Sequence, residues 1–270
     1  MHRGRVLFAA GMALAASWFV AQAAAPASTQ AAEAVTTGPV DGVSIGEWTA
    51  RWWRWALTQP VQPFLDPDGR FCAMGQDGPV WFLAGTDGSF RPRRECAIPA
   101  GKHVLVPVIN MIYWQRSAAG ARSPCRELQA SAAVNNDHLR SAEVLLDGKP
   151  LGDVRLFRIR SEACFAMDPA DPQSRLAAAD GYWLMIKPLP SGRHSLVVGA
   201  NYNASDQPYG GMDQNFEYVL HVGGMTTLSD LGRQGMPRTE DLPEQPASLS
   251  HAALAGMTPA LPLSANRPAN

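Results

Sequence analysis

Histidines form one group of residues that could do chemistry, because their imidazole rings can hold a metal ion. The candidates are His103, His138, His194 and His221, and spacing alone pairs none of them. His194 and His221 both fall on late segments predicted as strands, so they could face each other across a sheet. With a third ligand, such a pair would suit copper or zinc. Ordinary packing is the favoured explanation, so both residues are kept as weak metal candidates and no metal or cofactor is predicted.

Carboxylates form the second group with catalytic potential. Glycoside hydrolysis needs two carboxylates that flank a groove, and the candidates are Glu47, Asp77, Glu95, Asp180 and Glu217. Glu47 already has a role as a helix-capping residue, and Glu95 already has neighbouring arginines as partners for its charge. The chain contains no nucleophile elbow, Walker loop, dinucleotide-binding glycine pattern or HExxH motif. A Ser–His–acid site built from distant residues stays open, so a hydrolase of glycans or esters is the second hypothesis.

Tryptophan is concentrated in one stretch, since four of the eight lie between Trp48 and Trp55. A stripe of indoles is most simply the face by which a helix packs on a sheet, because each indole can bury roughly 150–250 Å². The alternative is an aromatic platform for a sugar ring, a lipid headgroup or a partner protein. Its candidate residues are Trp48, Trp52, Trp53 and Trp114, with Trp53 at the border of the stripe and expected to be exposed.

The element that positions these indoles is a predicted helix that begins at Ile45. Ser44 and Glu47 form an S-x-x-E capping box, in which each side chain satisfies a free backbone N–H at the helix start. At about 100° per residue, most of the tryptophans fall on one stripe and the charged residues fall opposite. Pro60 ends the pattern, because proline cannot continue a helix.

Four cysteines predict two disulfides. Cys72, Cys96, Cys125 and Cys164 match no zinc-binding spacing, and an even count is typical of an oxidising compartment. Three pairings are possible. Sequential pairing is preferred because it closes the shorter loops, and each bridge would contribute about 3–4 kcal/mol through the unfolded state.

Two loops carry charges that invite a ligand. Asp66 and Asp68 resemble the start of a calcium loop, but the following residues supply too few oxygens, so a plain turn is favoured. The segment from Arg91 to Arg94 contains three arginines and could bind a phosphate or carboxylate. A solvated loop is the favoured explanation there.

The rest of the globular part is predicted to be mainly strands. Val80 to Ala84 and Lys102 to Trp114 are apolar runs, the second with a proline that indicates an edge or a bulge. Ala142 to Leu146 meets Asp147-Gly148, a hairpin signal, with a return strand expected near Leu151 to Ile159.

Two segments between the strands have weaker patterns. Glu127 to Val134 is predicted either as a short helix or as a disordered continuation. Asp168 to Ala179 contains proline-rich turns and is predicted as a surface loop.

The last ordered block is predicted to contain three strands, over 181–189, 193–200 and 216–222. The turn between the first two contains Leu189, Gly192 and His194 in an L-x-x-G-x-H pattern. It resembles the corner before a late strand of immunoglobulin-like sandwiches, where a tyrosine hydrogen-bonds back to the backbone. Here His194 would replace that tyrosine, which gives this side chain a structural role.

The two ends of the chain are predicted to lie outside the domain. Arg3 and Arg5, an apolar run from Val6 to Val20 and an Ala-Gln-Ala triplet indicate a signal peptide over 1–25. A retained membrane anchor is the alternative, and no other stretch is long enough to span a bilayer. Residues 26–40 are predicted as a flexible leader, 41–225 as one domain and 226–270 as a disordered tail.

Net charge excludes some partners. With 23 basic and 24 acidic residues, the chain has no electrostatic footprint for nucleic acid or an anionic membrane surface. The 24 glycines and 22 prolines favour a loop-rich β protein over a helical one.

The order of several blocks resembles a group of exported bacterial proteins. These blocks are EWxxRWWRW, CxxGQxGPVWFLAGT, IPAGKHVLVPVIN and ADGYWLMIKPLPSGRHSLVVG, which together span about Ser44 to Val222. The resemblance implies export and a shared domain, and it transfers no activity.

The sequence therefore predicts a mainly β fold, an immunoglobulin-like or jelly-roll-like sandwich with one N-terminal tryptophan-rich helix. The expected function is that of a periplasmic or secreted, non-enzymatic domain that recognises a carbohydrate, an envelope component or a protein. A hydrolase comes second and a metal-binding accessory protein third. The sequence does not decide whether the protein is an enzyme.

Overall fold

The fold consists of two facing β-sheets with helices packed against one of them. A computed structural model describes residues 34–115, 123–171, 173–202 and 210–224. The predicted signal peptide and tail lie outside the described residues. Strands far outnumber helical segments in the described part, so the prediction of a mainly β, sandwich-like fold with a tryptophan-rich helix is confirmed.

The first sheet has six strands and is built around its longest antiparallel pair. Its order is β1-β9-β4-β2, and two short strands, β7 and β8, also pair with β9. The strand bounds are β1 Val35–Thr36, β2 Val80–Phe82, β4 His103–Trp114, β7 Arg158–Arg160, β8 Phe165–Ala166 and β9 Leu176–Ile186. Nearly every residue of β9 is buried, on both faces of the sheet.

The second sheet has five strands and alternates between buried and exposed positions. Its order is β3-β11-β10-β5-β6, with β3 parallel to β11 and the other pairs antiparallel. The bounds are β3 Arg93–Ile98, β5 Leu139–Leu146, β6 Lys149–Pro150, β10 Gly192–Tyr202 and β11 Met212–Val222. Period-two alternation means that one face of this sheet meets the core and the other does not.

Helix α1, Ile45–Thr58, covers the outer face of the six-stranded sheet. The side chain of Ser44 accepts a hydrogen bond from the N–H of Glu47 at 3.2 Å, as the capping box predicts. The other half of the box does not form, because the Glu47 carboxylate pairs with Arg54 at 3.1 Å instead.

Two apolar layers result from this arrangement. One lies between the sheets and includes Leu184, Leu196 and Phe216. The other lies between α1 and the six-stranded sheet, where the indoles pack against Phe82 and Trp183. At about 25 cal/mol per Å² of buried apolar area, the large indoles make this second layer a major source of stability.

A second helix, α2, covers Cys125–Ala133 and packs against β4 and β9. Of the two interpretations of this segment, the helical one is therefore correct, and α1 is not the only helix. Both predicted disulfides are confirmed: Cys72 is bonded to Cys96, and Cys125 is bonded to Cys164.

Three predicted boundaries are wrong. Strand β1 lies inside the predicted leader, because Val35 pairs with Ile186 at the sheet edge. The return strand of the hairpin stops at Pro150, since Asp153 caps a 3₁₀ turn over Val154–Phe157. Strand β9 begins at Leu176, inside the segment predicted as a surface loop.

Candidate functional site

His194 and His221, the weak metal candidates, do not face each other. His194 lies opposite Leu220 across the β10–β11 ladder, and His221 lies opposite Arg193. Side chains alternate between faces, so His194 and His221 point to opposite sides of the sheet. No group of three potential ligands from His, Cys, Asp and Glu occurs among the described residues.

Each histidine instead has a local partner. His221 contacts the carboxylate of Glu95. The ring of His194 lies 2.8 Å from the carboxylate of Asp147 and 2.9 Å from the carbonyl of Pro190. The second contact returns to the corner backbone, so the structural role predicted for His194 is confirmed.

The His194 ring is held between two acceptors, which favours its charged form. A carboxylate and a carbonyl both need a donated proton, so both ring nitrogens must carry one. Burial lowers the pKa of His194, but the hydrogen bonds to Asp147 and Pro190 outweigh it and the pKa is raised. Burial raises the pKa of Asp147, yet hydrogen bonds from His194 and Ser195 bring it below its usual value.

The carboxylates of Asp66 and Asp68, the candidate calcium ligands, already have partners within the chain. Asp66 accepts the backbone N–H groups of Asp68, Gly69 and Phe71 at 2.9–3.2 Å. Asp68 pairs with Arg70, whose hydrogen bond lowers the pKa of Asp68 to about 2. Both carboxylates therefore hold the turn together, as the plain-turn interpretation predicts.

The predicted basic loop is divided by the fold. Arg94 is 1 % exposed and lies on β3. Its guanidinium donates to the carbonyls of Asp66, Ala84 and Gly85 at 2.6–2.8 Å and to the hydroxyl of Tyr218 at 3.0 Å. Arg94 therefore joins β3 to the three segments that contain these partners. The prediction that it lies in a solvated loop is wrong.

Asp180, one of the candidate catalytic carboxylates, is also structural. Its carboxylate is buried and accepts two hydrogen bonds from Arg158, at 2.8 and 3.0 Å. The Arg160 guanidinium lies 2.8 Å from the same carboxylate, and the Asp137 carboxylate lies 2.7 Å from the Arg158 guanidinium. Burial raises the pKa of Asp180 against the opposing effect of these arginines.

The remaining carboxylate candidates lie apart from one another. Glu47 pairs with arginines on α1, Asp77 accepts the N–H of Gly78, and Glu95 contacts His221. Between described residues, no serine hydroxyl hydrogen-bonds to His103 or His221. Glu217 lines a cavity on the outer face of the five-stranded sheet.

The tryptophans do not form an exposed aromatic platform, because three of the four candidates are buried. Trp48, Trp52 and Trp53 are 4 %, 3 % and 6 % exposed, so the expectation that Trp53 is exposed is wrong. Trp48 and Trp52 donate their indole N–H groups to the carbonyls of Val40 and Leu83 at 3.1 and 2.7 Å. Trp114 lies at the end of β4, partly buried, with the Arg175 guanidinium 5.9 Å from its ring.

The described residues instead form a polar groove on the outer face of the five-stranded sheet. Three cross-strand rows define it: Ser141, Asn201 and Asp213; Glu143, Gly199 and Asn215; and Leu145, Val197, Glu217 and Arg93. Directly opposed residues in such rows have Cβ atoms about 4.5–5.5 Å apart. Seven of these ten residues have polar side chains, so the groove is a surface of closely spaced hydrogen-bonding groups.

The groove consists of two connected depressions. The larger has a volume of about 1040 Å³ and the smaller about 370 Å³, and both are lined by Glu143, Gly199 and Asn215. The volume of the larger depression is just above the usual range for small-molecule sites, about 300–1,000 Å³. Arg91 and Arg93 line the smaller depression, so the groove carries acidic groups throughout and basic groups at one end.

Sequence reasoning missed most of these residues. Asn201, Asp213 and Asn215 are polar positions that alternate with apolar ones along β10 and β11. That alternation identifies a solvent-facing side of a strand, but it does not show which strands bring their polar sides together.

Comparisons with known proteins found no match. The chain matches no protein-family model, and no curated protein and no solved structure is detectably similar to it. No helix within the described residues is long and apolar enough to cross a bilayer.

Proposed function

We propose that the protein is an exported, non-enzymatic binding domain of the cell envelope that recognises a carbohydrate in the polar groove. The observation that carries the proposal is the alignment of short polar side chains in adjacent rows around Gly199. Sugars present hydroxyl groups at close intervals, and each hydroxyl both donates and accepts a hydrogen bond.

The chemistry of the three rows favours a ligand rich in hydroxyl groups. Asn201 and Asn215 supply both donors and acceptors, whereas Glu143 and Glu217 supply acceptors for hydroxyl groups. Gly199 has no side chain, so the floor of the groove stays low at its centre. These groups sit on strands, which hold a binding surface more rigidly than loops do.

Export is supported by the cysteines and by the start of the chain. Both disulfides join residues of the folded part, and disulfides persist mainly in oxidising compartments such as the periplasm or the extracellular space. The positively charged start and the apolar run from Val6 to Val20 are typical of a secretory signal. The resemblance to exported bacterial proteins agrees with this location.

The test is a glycan panel titrated against the full chain and two variants. Asn215→Ala removes an amide from the middle row, while Val219→Ala changes the same face of the same strand outside the groove. Loss of the amide is expected to weaken binding by about tenfold, because it leaves ligand hydroxyls without partners.

The control variant is expected to bind like the wild type. The proposal is wrong if no glycan binds, or if both variants weaken binding equally.

A further inference from the structure

The edge of the five-stranded sheet next to the groove is only partly covered. Strand β6 pairs with the last two residues of β5, Leu145 and Leu146. Beyond it, the N–H of Leu151 donates to the carbonyl of Val144 at 2.9 Å. The side chain of Arg155 donates to the carbonyl of Arg140 at 2.9 Å. The chain after the hairpin thus covers β5 at two points.

Ala142 lies between these two points, with its backbone groups turned away from β10. In an antiparallel strand, the N–H and C=O of one residue point to the same side, and alternate residues point to the same edge. Because the carbonyl of Val144 faces the edge, both backbone groups of Ala142 face it too. Among the described residues, neither group has a hydrogen-bond partner on that side.

This free edge opens into the larger depression of the groove. The depression extends over the edge of β5 to a wall formed by Val35, Thr37, Leu156 and Phe157. Leu156 is 78 % exposed, more than any other large hydrophobic side chain in the described part of the chain. An apolar surface therefore stands opposite an unpaired strand edge.

The charge of the depression indicates what would occupy it. The described residues that line it include the carboxylates Glu143, Asp153 and Asp213 and no lysine or arginine. A ligand with positive charge would complement this lining.

We infer that the edge of β5 at Ala142 binds an extended, basic peptide segment of a partner protein, which adds to the sheet as a further strand. One residue of an extended peptide presents its own N–H and C=O on the same side, so it can satisfy both groups of Ala142 at once. A single amide of a sugar cannot, because its N–H and C=O point in opposite directions. The side chains of the peptide would alternate between Leu156 and the carboxylates. This inference is independent of carbohydrate binding in the rows of the groove.

The experiment begins with a selection on the full chain. The probe is a library of peptides of about eight residues, slightly longer than a typical strand, with lysine at alternating positions. Enrichment of binders is expected, with affinity that falls as salt is added. If no peptide of the library binds, the inference is overturned.

The strongest peptide is then tested on two variants of one residue. Ala142→Pro removes the N–H that faces the edge, and it breaks no ladder hydrogen bond because that N–H points away from β10. Proline is tolerated on edge strands for this reason. Ala142→Val keeps the N–H. We expect Ala142→Pro to weaken peptide binding by about tenfold and Ala142→Val by much less. Equal binding by the two variants would contradict strand addition.

A change in the peptide gives a second test that leaves the protein unaltered. Two versions are made, each N-methylated at alternate residues, so that only one version blocks the amides that face β5. Strand addition requires one version to lose binding and the other to retain it. Equal loss or equal retention would overturn the inference. Val219 lines neither depression, so Val219→Ala is expected to keep peptide binding.

Discussion

The two sheets of this protein differ in how many of their faces are covered. The six-stranded sheet has the second sheet on one face and helix α1 on the other, and β9 is buried along nearly its whole length. In the five-stranded sheet, β10 and β11 alternate between buried apolar and accessible polar residues. The same chain thus contains one sheet whose central strands are buried on both faces and another with one accessible face.

This difference separates the residues that stabilise the fold from those that could recognise a ligand. The indoles attract functional hypotheses because they are rare and clustered, but they belong to the covered face. The open face holds amides and carboxylates with no unusual sequence pattern. Substitutions on the two sheets should therefore differ in what they change, and the following predictions test that division.

The largest loss of stability is expected from Trp52→Ala on the covered face. The Trp52 ring lies 5.0 Å from Trp53 and 5.2 Å from Trp183. Truncation leaves a cavity and removes the partner of the Leu83 carbonyl. The free energy of unfolding should fall by about 3–5 kcal/mol in urea denaturation. Arg51→Ala, on the solvent side of α1, should change it by less than about 0.5 kcal/mol. Similar losses for both would mean that the helix face does not carry the stability.

Asp180→Ala is expected to have the next largest effect. The substitution leaves Arg158 and Arg160 without the buried carboxylate that both contact. Breaking one partner of a buried ion pair costs about 3 kcal/mol or more, which urea denaturation would measure. Glu217→Ala removes an exposed carboxylate 3.8 Å from Arg93 and should cost less than about 1 kcal/mol. An Asp180 variant as stable as the Glu217 variant would refute the structural role.

A matched pair of glycines compares the two sheets directly. A Cβ added to Gly181 in β9 would lie 2.6 Å from the Cα of Asn110, so backbone must shift. A Cβ added to Gly199 in β10 would meet only the side chain of Asn215, at an ordinary 3.5 Å.

Gly181→Ala should therefore cost about 1–3 kcal/mol through overpacking. Gly199→Ala should leave the free energy of unfolding within about 0.5 kcal/mol and weaken glycan binding by raising the groove floor. Thermal unfolding with a glycan titration measures both, and a reversed order of stability would break the comparison.

The smallest effect is expected at the corner of the five-stranded sheet, and it depends on pH. Because the pKa of His194 is raised above 6.5, its stabilising contribution is present below that pH and is lost as pH rises through the raised pKa. The pKa of Asp147 lies below 3.8, so its contribution is present above that pH and is lost on further acidification.

The stability difference between the wild type and His194→Gln should therefore be widest from about pH 4 to 6.5 and shrink above it. It should stay under about 1 kcal/mol, since Asp147 is half exposed. Urea midpoints across this pH range measure it, with His138→Gln as an exposed control. A difference that grows above pH 7 would contradict the assigned charge state.

Local patterns in the sequence were sufficient for some features and not for others. Ser44 and Pro60 bracket α1 closely, and the short loops between cysteines give the correct pairing. The helix pattern places Trp53 at the border of the stripe, but Trp53 is buried in the layer between α1 and the six-stranded sheet, with its ring 5.0 Å from that of Trp52.

Features that depend on strand register lay beyond the sequence. The register between β10 and β11 is needed to show that His194 and His221 lie on opposite faces, because a shift of one residue would put them on the same face. The buried position of Arg94 depends on carbonyls from distant parts of the chain. The groove rows combine β5, β10 and β11, which no local pattern brings together.

Strand β3 has a consequence for how the chain acquires its shape. It is synthesised early, yet its parallel neighbour β11 places Cys96 beside Leu220, which is made far later. Closing such a long loop costs chain entropy, and contacts between residues far apart in sequence slow folding. The Arg94 contacts and the bond between Cys72 and Cys96 anchor β3 to segments made at nearly the same time. We expect the early third of the domain to be ordered first, so that β11 pairs with a strand that is already in place.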